Sequence, residues 1–121
     1  MPTCVQPDRC AAYVASRGAL AALERAAPSW PDELADHAHA AAFAAVTATA
    51  DALGHPQDSA VRRRCLRDAI VAAIRLAAAC DVARALGLAR DPALDAVQRA
   101  ASRAISTLAM LLHANTAGVD E

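Results

Sequence analysis

The sequence predicts an all-α protein, an up-down-up-down antiparallel four-helix bundle. Alanine accounts for 36 of the 121 residues, and alanine has the highest helix propensity of all residues. The larger apolar side chains recur at steps of three and four residues through four successive segments, which is the spacing of one helical face. Short proline- or glycine-containing connections separate these segments, and such short connections place consecutive helices antiparallel.

The composition restricts the class of protein further. The formal net charge is -1 and every basic side chain is arginine, whereas a dedicated nucleic-acid binder usually carries a strong basic excess. Hydrophobic residues make up 56% of the chain and charged residues 21%, an apolar surplus that indicates self-association. No apolar run is long enough to span a membrane.

The cysteine pattern indicates a compartment. The four cysteines, Cys4, Cys10, Cys65 and Cys80, show no C-x-x-C spacing and no disulfide-dense pattern. The first six residues lack the charged-then-apolar layout of a secretory signal. We therefore expect reduced thiols and a cytoplasmic protein.

Helix one is expected over residues 7–27. Pro7 suits the first helical position, and Asp8 suits the positive end of the helix dipole. Residues 28–31 end the helix, because two prolines so close together cannot continue it. Trp30, in this connection, is expected to cover one end of the core; if exposed, it would instead be an anchor for a partner.

Helix two is expected over residues 32–53, with Gly54 in the left-handed conformation that often ends a helix. Its inner face consists mainly of alanine methyl groups, which allow a neighbouring helix to approach closely. These inner positions are Leu34, Ala38, Ala41, Ala45, Ala48 and Ala52.

Helix three is expected to run from a cap at Asp58 or Ser59 to Leu86, with Gly87 as its stop. Its first apolar stripe comprises Cys65, Ala69, Ala73, Leu76, Cys80, Ala83 and Leu86. A second stripe, formed by Ile70, Ile74 and Ala77, adjoins it. Two stripes on one helix indicate a helix that is covered on two sides. We assign the second stripe to the subunit interface of a homo-oligomer.

Helix four is expected to begin at Asp91 and Pro92, an N-cap followed by proline at the first helical position. The bundle then spans residues 7–114 as one domain. Residues 1–6 form a flexible N-terminal tail in this interpretation, and residues 115–121 form a flexible acidic C-terminal tail.

Residues 30–36 read Trp-Pro-Asp-Glu-Leu-Ala-Asp and lead into an apolar helix. This segment resembles the second helix of a bacterial family known as four-helix bundle proteins. Residues 64–67 and 76–88 are similar to its third helix, which typically ends in Leu-Ala-x-x-Leu-Gly-Tyr. The chain departs from the family at 48–52, where Ala-Thr-Ala-Asp-Ala replaces Asn-Ile-Ala-Glu-Gly. It departs again at 71–75, where Val-Ala-Ala-Ile-Arg replaces Gly-Ser-Leu-Glu-Glu.

The resemblance implies a homopentamer, a ring of five bundles around a central channel. The family includes proteins encoded by intervening sequences of ribosomal RNA genes and the accessory protein of diversity-generating retroelements. The retroelement branch is strongly basic and binds a reverse transcriptase and RNA, and the near-neutral charge of this chain argues against the same activity.

The densest charge cluster comprises Arg62, Arg63, Arg64 and Arg67. Consecutive helical residues point about 100° apart, so the first three arginines fan around the axis, while Arg63 and Arg67 share a face. A solvated helix start is the simplest interpretation. One alternative is an intersubunit ion pair. The other is a contact to RNA, a reverse transcriptase or an acidic partner, in which a pentamer would present five copies of the basic patch.

The topology places Cys10, Cys65, His113 and His55 at one end of the bundle, with Cys4 on the adjacent tail. Thiolate and imidazole are good zinc ligands, but each of these four residues lies on a different helix or connection. Packing of the cysteines in or beside the core is therefore the favoured interpretation. No Glu-x-x-His pair and no Ser–His neighbour pair is present. We therefore expect neither catalysis nor a cofactor, and interpret the chain as a self-assembling scaffold protein. A protein that binds RNA or a reverse transcriptase is the second interpretation, and a metal-binding bundle is the third.

Overall fold

The computed structural model describes residues 10–88 and 90–120 of the chain. It contains four α-helices: α1 (Ala11–Ala26), α2 (Asp32–Leu53), α3 (Ala60–Ala83) and α4 (Pro92–Asp120). The extensive contacts join α1 to α2, α2 to α3, α3 to α4 and α4 to α1. No strand occurs within residues 10–88 and 90–120, so the predicted all-α antiparallel four-helix bundle is confirmed.

The first helix begins later than the sequence pattern indicates. Cys10 has an extended backbone with φ of -88° and ψ of 122°, and α1 begins after it at Ala11. The proposed start at Pro7 and Asp8, the tail at 1–6 and Cys4 all lie outside the described residues. The helix ends as expected: a 3-10 turn follows over Ala27–Ser29, with Pro28 in its first positions.

The two predicted glycine stops behave differently. Gly87 has φ of 95° and interrupts a π-helical turn, Arg84–Leu88, that continues α3. Gly54, by contrast, has φ of -81° and ψ of -6°, so its predicted left-handed conformation is wrong. Its amide donates to the carbonyl of Asp51 at 3.1 Å, a tightened last turn that satisfies the helix end without a positive φ.

The π-helical turn also moves one predicted core residue to the surface. Leu86 is 58% exposed, while the earlier members of its predicted stripe, such as Leu76 and Ala83, are fully buried. A π-turn has more residues per turn than an α-helix. The side chain of Leu86 is therefore displaced from the line that the α-helical spacing projects.

The last helix begins where it was predicted and ends later. The Asp91 carboxylate accepts a hydrogen bond from the amide of Ala93 at 2.9 Å, which is an N-cap. The helix continues to Asp120, beyond the predicted boundary at 114. Asn115 is only 2% exposed and donates to the carbonyl of Leu111 at 2.7 Å. The bundle therefore includes Asn115, the first residue of the predicted tail.

Two clusters of buried side chains fill the interior, one towards each end of the bundle. The larger cluster lies near the α1–α2 connection, where Trp30 packs against residues such as Leu23, Leu76 and Leu94. The smaller cluster is built around Leu66 and Leu108 near the start of α1. Trp30 is 4% exposed, which confirms that it covers one end of the core.

Candidate interaction surface on α2 and α3

A groove of about 800 Å³ runs along the outside of the bundle between α2 and α3. Six of its thirteen lining residues are alanine, and Leu34, Val82 and Leu86 line it near the start of α2. Three polar side chains also line it: Glu33 and His37 from α2, and Arg75 from α3. An alanine-lined groove of this kind allows close approach of another helix.

Each wall of this groove is part of a longer helical face that continues beyond the residues lining the groove. On α2, residues separated by steps of three and four form one face, which we call the α2 stripe. It comprises Glu33, His37, Ala40, Ala44, Ala48 and Asp51. The same spacing on α3 forms the α3 stripe. It comprises Arg64, Arg67, Val71, Arg75, Ala78 and Val82, all of them exposed.

The α3 side carries much of the bundle's exposed large apolar surface. Val71 is 46% exposed, Val82 47%, Ile74 50% and Leu86 58%. Exposed apolar side chains that lie singly on a surface need no explanation, but a contiguous set marks an interaction site. These four lie within about four turns of one helix, so we treat the α2–α3 surface as the candidate site.

The predicted interface residues occupy different environments. Ile74 projects outward and is half-exposed. Ile70 is partly buried and packs against the smaller core cluster, while Ala77 is partly buried against the larger one. The exposed apolar face of α3 therefore differs from the predicted stripe by a rotation about the helix axis, and it includes Val71 and Val82 instead of Ile70 and Ala77. The role of Ile70, Ile74 and Ala77 in a subunit contact stays a prediction.

The two stripes carry opposite charge. Four acidic residues and no arginine occur in α2, and the α2 stripe holds Glu33 and Asp51. The α3 stripe holds three arginines and no acidic residue. Within the described residues no ion pair joins α2 to α3: His39 pairs with Glu24 of α1 at 3.0 Å, and Arg84 pairs with Asp95 of α4 at 2.9 Å.

The arginine cluster at the start of α3 is divided by burial. Arg62 is 3% exposed and donates to the carbonyl of His55 at 3.3 Å. This side chain lies beneath the α2–α3 connection. The prediction that Arg62 contacts RNA or an acidic partner is therefore wrong, because the guanidinium is not on the surface. Arg63 is half-buried and donates to the carbonyl of Asp58 at 2.8 Å.

The other two arginines remain on the surface. Arg64 and Arg67 are exposed and lie three residues apart on the α3 stripe. Neither forms a salt bridge within the described part of the chain. Of the four arginines in the cluster, Arg64 and Arg67 are thus surface residues. The side chains of Arg62 and Arg63 are hydrogen-bonded to the connection between α2 and α3.

The predicted end cluster of cysteine and histidine is only partly assembled. Cys10 and Cys65 both pack against the smaller core cluster, His55 is half-buried and His113 is exposed. Within residues 10–88 and 90–120, no three histidine, cysteine, aspartate or glutamate side chains lie close enough to hold a metal ion. The two thiols contribute to packing at this end.

Two thiols have raised pKa values. Burial, followed by the nearby charge of Asp81, raises the pKa of Cys80 from 9.0 to about 11. Burial also raises the pKa of Cys65, with the carboxylates of Asp51 and Asp68 acting in the same direction. A raised pKa lowers the thiolate fraction at neutral pH and makes a thiol less nucleophilic.

Some residues of the surface escaped the sequence interpretation. Glu33, His37 and Arg75 line the groove, although no catalytic or metal-ligating spacing distinguishes them in the sequence. The three- and four-residue steps that place Arg75 between Val71 and Val82 are visible in the sequence. Arg84, which bridges α3 to Asp95 and Gln98 of α4, was also missed.

No helix within the described residues is both long and apolar enough to cross a membrane. No family model matches the chain, and no curated protein or solved structure is significantly similar to it. The likeness to the bacterial four-helix bundle family therefore stays a prediction, and the interpretation of function depends on the surface itself.

Proposed function

We propose that this protein is a non-enzymatic four-helix bundle that self-assembles and presents a repeated surface to a partner. The exposed apolar surface on α2 and α3 is the observation that carries the proposal. Alanines in the groove and the half-exposed Val71, Ile74 and Val82 offer a continuous apolar area to another molecule. Burial of such area from water favours association.

The titratable groups support a role without catalysis. Burial raises the pKa values of the two thiols Cys65 and Cys80. A nucleophilic cysteine requires a lowered pKa. These thiols are better suited to core packing than to chemistry.

Size-exclusion chromatography with light scattering tests the proposal. We expect the purified chain to elute as a multiple of its subunit mass, five copies being the number that the family resemblance implies. The variant Ile74→Glu places a charge on the exposed apolar surface and should reduce the mass without loss of helicity in circular dichroism. A wild-type chain that stays monomeric at high concentration would refute the proposal.

A second candidate function is binding to RNA or to a reverse transcriptase, favoured by Arg64 and Arg67, which are exposed and form no salt bridge with any residue that the structure describes. Phosphate contacts by arginine make binding strongly dependent on salt. Retention on an RNA column should then fall with salt and be lost in Arg64→Ala plus Arg67→Ala. The matched control is Arg99→Ala plus Arg103→Ala, two exposed arginines on α4. Equal retention of both variants would refute this alternative.

A further inference from the structure

We infer that the groove between α2 and α3 is covered by the same surface of a second copy, related to the first by a two-fold axis parallel to the helices. This inference rests on the proposed self-assembly and adds the partner, the interface and its orientation. It follows from the charge on the two stripes and from their alignment along the bundle.

The charges on the two stripes have no partner across the groove. Glu33 and Arg75 line the same groove, but neither takes part in a salt bridge within the described residues. Asp51, Arg64 and Arg67 likewise form none. Apart from the partly buried Ala48, the side chains of both stripes are exposed, which leaves an acidic wall beside a basic wall on one surface.

Such a surface is complementary to itself. When two copies face each other across a two-fold axis parallel to the helices, the α2 stripe of each lies over the α3 stripe of the other. The acidic α2 stripe of each copy then contacts the basic α3 stripe of the other. The same contact therefore occurs twice in one interface, as an isologous contact requires. A two-fold axis perpendicular to the helices would instead place α2 over α2 and α3 over α3, and like charges would oppose each other.

The alignment of the charges along the helices suits the parallel axis, which keeps each residue at its own height. Leu53 ends α2 and Ala60 begins α3, and the short connection between them gives a common end from which distances along the two helices are counted. Asp51 lies about 3 Å from this end, and Arg64 lies about 6 Å from it, at a rise of 1.5 Å per residue.

Glu33 and Arg75 line the groove itself, towards the other end of the two stripes. Glu33 is about 30 Å from this common end and Arg75 about 22 Å, a difference of about 8 Å along the axis. The combined length of a glutamate and an arginine side chain bridges this offset. Both ends of the paired stripes therefore bring an acidic residue within reach of an arginine of the other copy.

The apolar positions of the two stripes complete the interface. Between the charged ends, the α2 stripe presents Ala40 and Ala44 and the α3 stripe presents Val71, while Ala78 and Val82 continue the apolar surface beyond Arg75. Alanine on one helix facing valine on the other allows α2 of one copy to approach α3 of the other closely. A two-fold contact of this kind closes at two copies, in contrast to the five-fold ring of the family resemblance.

Exchange of the charges tests the inference. In Glu33→Arg two arginines oppose each other twice across the interface, and in Arg75→Glu two carboxylates do so. Each variant alone should show a dimer dissociation constant at least about tenfold higher than that of the wild type. An equimolar mixture of the two should form a mixed dimer, because every introduced charge then faces its opposite. The control is Arg99→Glu, a charge reversal on the exposed side of α4, which should leave the dimer intact.

Native mass spectrometry of the mixture, with one variant isotopically labelled, distinguishes the outcomes. Recovery of the mixed dimer supports the inference, and it also shows that each variant is folded. A wild-type monomer overturns both the inference and the proposed self-assembly. A wild-type dimer that neither charge reversal weakens, a wild-type pentamer, or an assembly that forms only with RNA or another protein overturns the inference alone.

Discussion

At the scale of single residues, burial decides roles that the sequence pattern leaves open. Four arginines within six positions look alike in the sequence, but Arg62 is 3% exposed and hydrogen-bonded to the His55 carbonyl, while Arg64 and Arg67 are exposed. The helical angle of each arginine could be predicted. The position of the α2–α3 connection above Arg62 could not, because that placement depends on how two helices pack at their ends.

Burial also decides the ionisation of the Cys80 thiol. The thiol is fully buried, and burial together with Asp81 raises its pKa from 9.0 to about 11. The folded protein therefore keeps the Cys80 proton between about pH 9 and 11, whereas the unfolded chain releases it. The contribution to stability is present below pH 9 and is lost as the pH rises to 11.

The resulting prediction is a loss of stability in alkali that depends on Cys80. The free energy of unfolding should fall by up to about 3 kcal/mol from this group as the pH rises through the interval. Urea titrations at several pH values measure the effect. Because Cys80→Ala lacks the thiol, its stability should decline less steeply than that of the wild type, and parallel declines would contradict the assignment.

At the scale of the elements, the capping residues of α3 and α4 could be predicted, whereas the start of α1 and the conformation of Gly54 could not. Ser59 accepts a hydrogen bond from the amide of Arg62 at 3.1 Å, and Asp91 caps α4 as its position before Pro92 indicates. Gly54 and Gly87 look equivalent as stops, but only Gly87 has a positive φ. The difference arises from how each connection turns, which no local residue pattern specifies.

The two glycines give a matched pair of substitutions. Gly87→Ala should destabilise the fold by about 1–2 kcal/mol, because alanine is strained at φ of 95°. Gly54→Ala should change stability by less than about 0.5 kcal/mol, because its φ of -81° suits alanine. Thermal unfolding compares the two. Equal effects would show that Gly87 is not held in the left-handed conformation.

The cap of α4 gives another test. The Asp91 carboxylate accepts from the Ala93 amide at 2.9 Å and from the Ser29 hydroxyl at 3.1 Å, so it joins the helix start to the α1–α2 connection. Asp91→Ala should cost about 1–2 kcal/mol of unfolding free energy, while Asp91→Asn, also a good N-cap, should cost less than about 0.5 kcal/mol. Chemical denaturation measures both, and a well-tolerated alanine would rule out the cap as a source of stability.

At the scale of the whole molecule, the bundle could be predicted because one pattern runs through all four helices. The inner alanines of α2, such as Ala38, Ala45 and Ala52, are buried as their spacing indicates. The orientation of the outer apolar face of α3 could not be predicted as well. Ile70 and Ala77 pack within the bundle, and the exact rotation of a helix depends on all of its neighbours together.

The exposed α2–α3 surface is what connects the fold to a function. A bundle whose interior is filled by small side chains still leaves Val71, Ile74 and Val82 half-exposed on one helix. Opposite charges on the neighbouring stripes are the reason we propose a second copy as the partner of that surface. In this proposal, association involves one face of the bundle.

Sedimentation equilibrium of the wild-type chain beside Val82→Glu, over a wide range of concentration, tests this claim most directly. Val82 lies in the groove and is 47% exposed, so the substitution should leave the bundle folded and prevent pairing. Phe43→Glu is the control, since Phe43 is 56% exposed on α2 but does not line the groove. The account predicts a dimer for the wild type and Phe43→Glu, and a helical monomer for Val82→Glu. Equal masses for all three chains would contradict it.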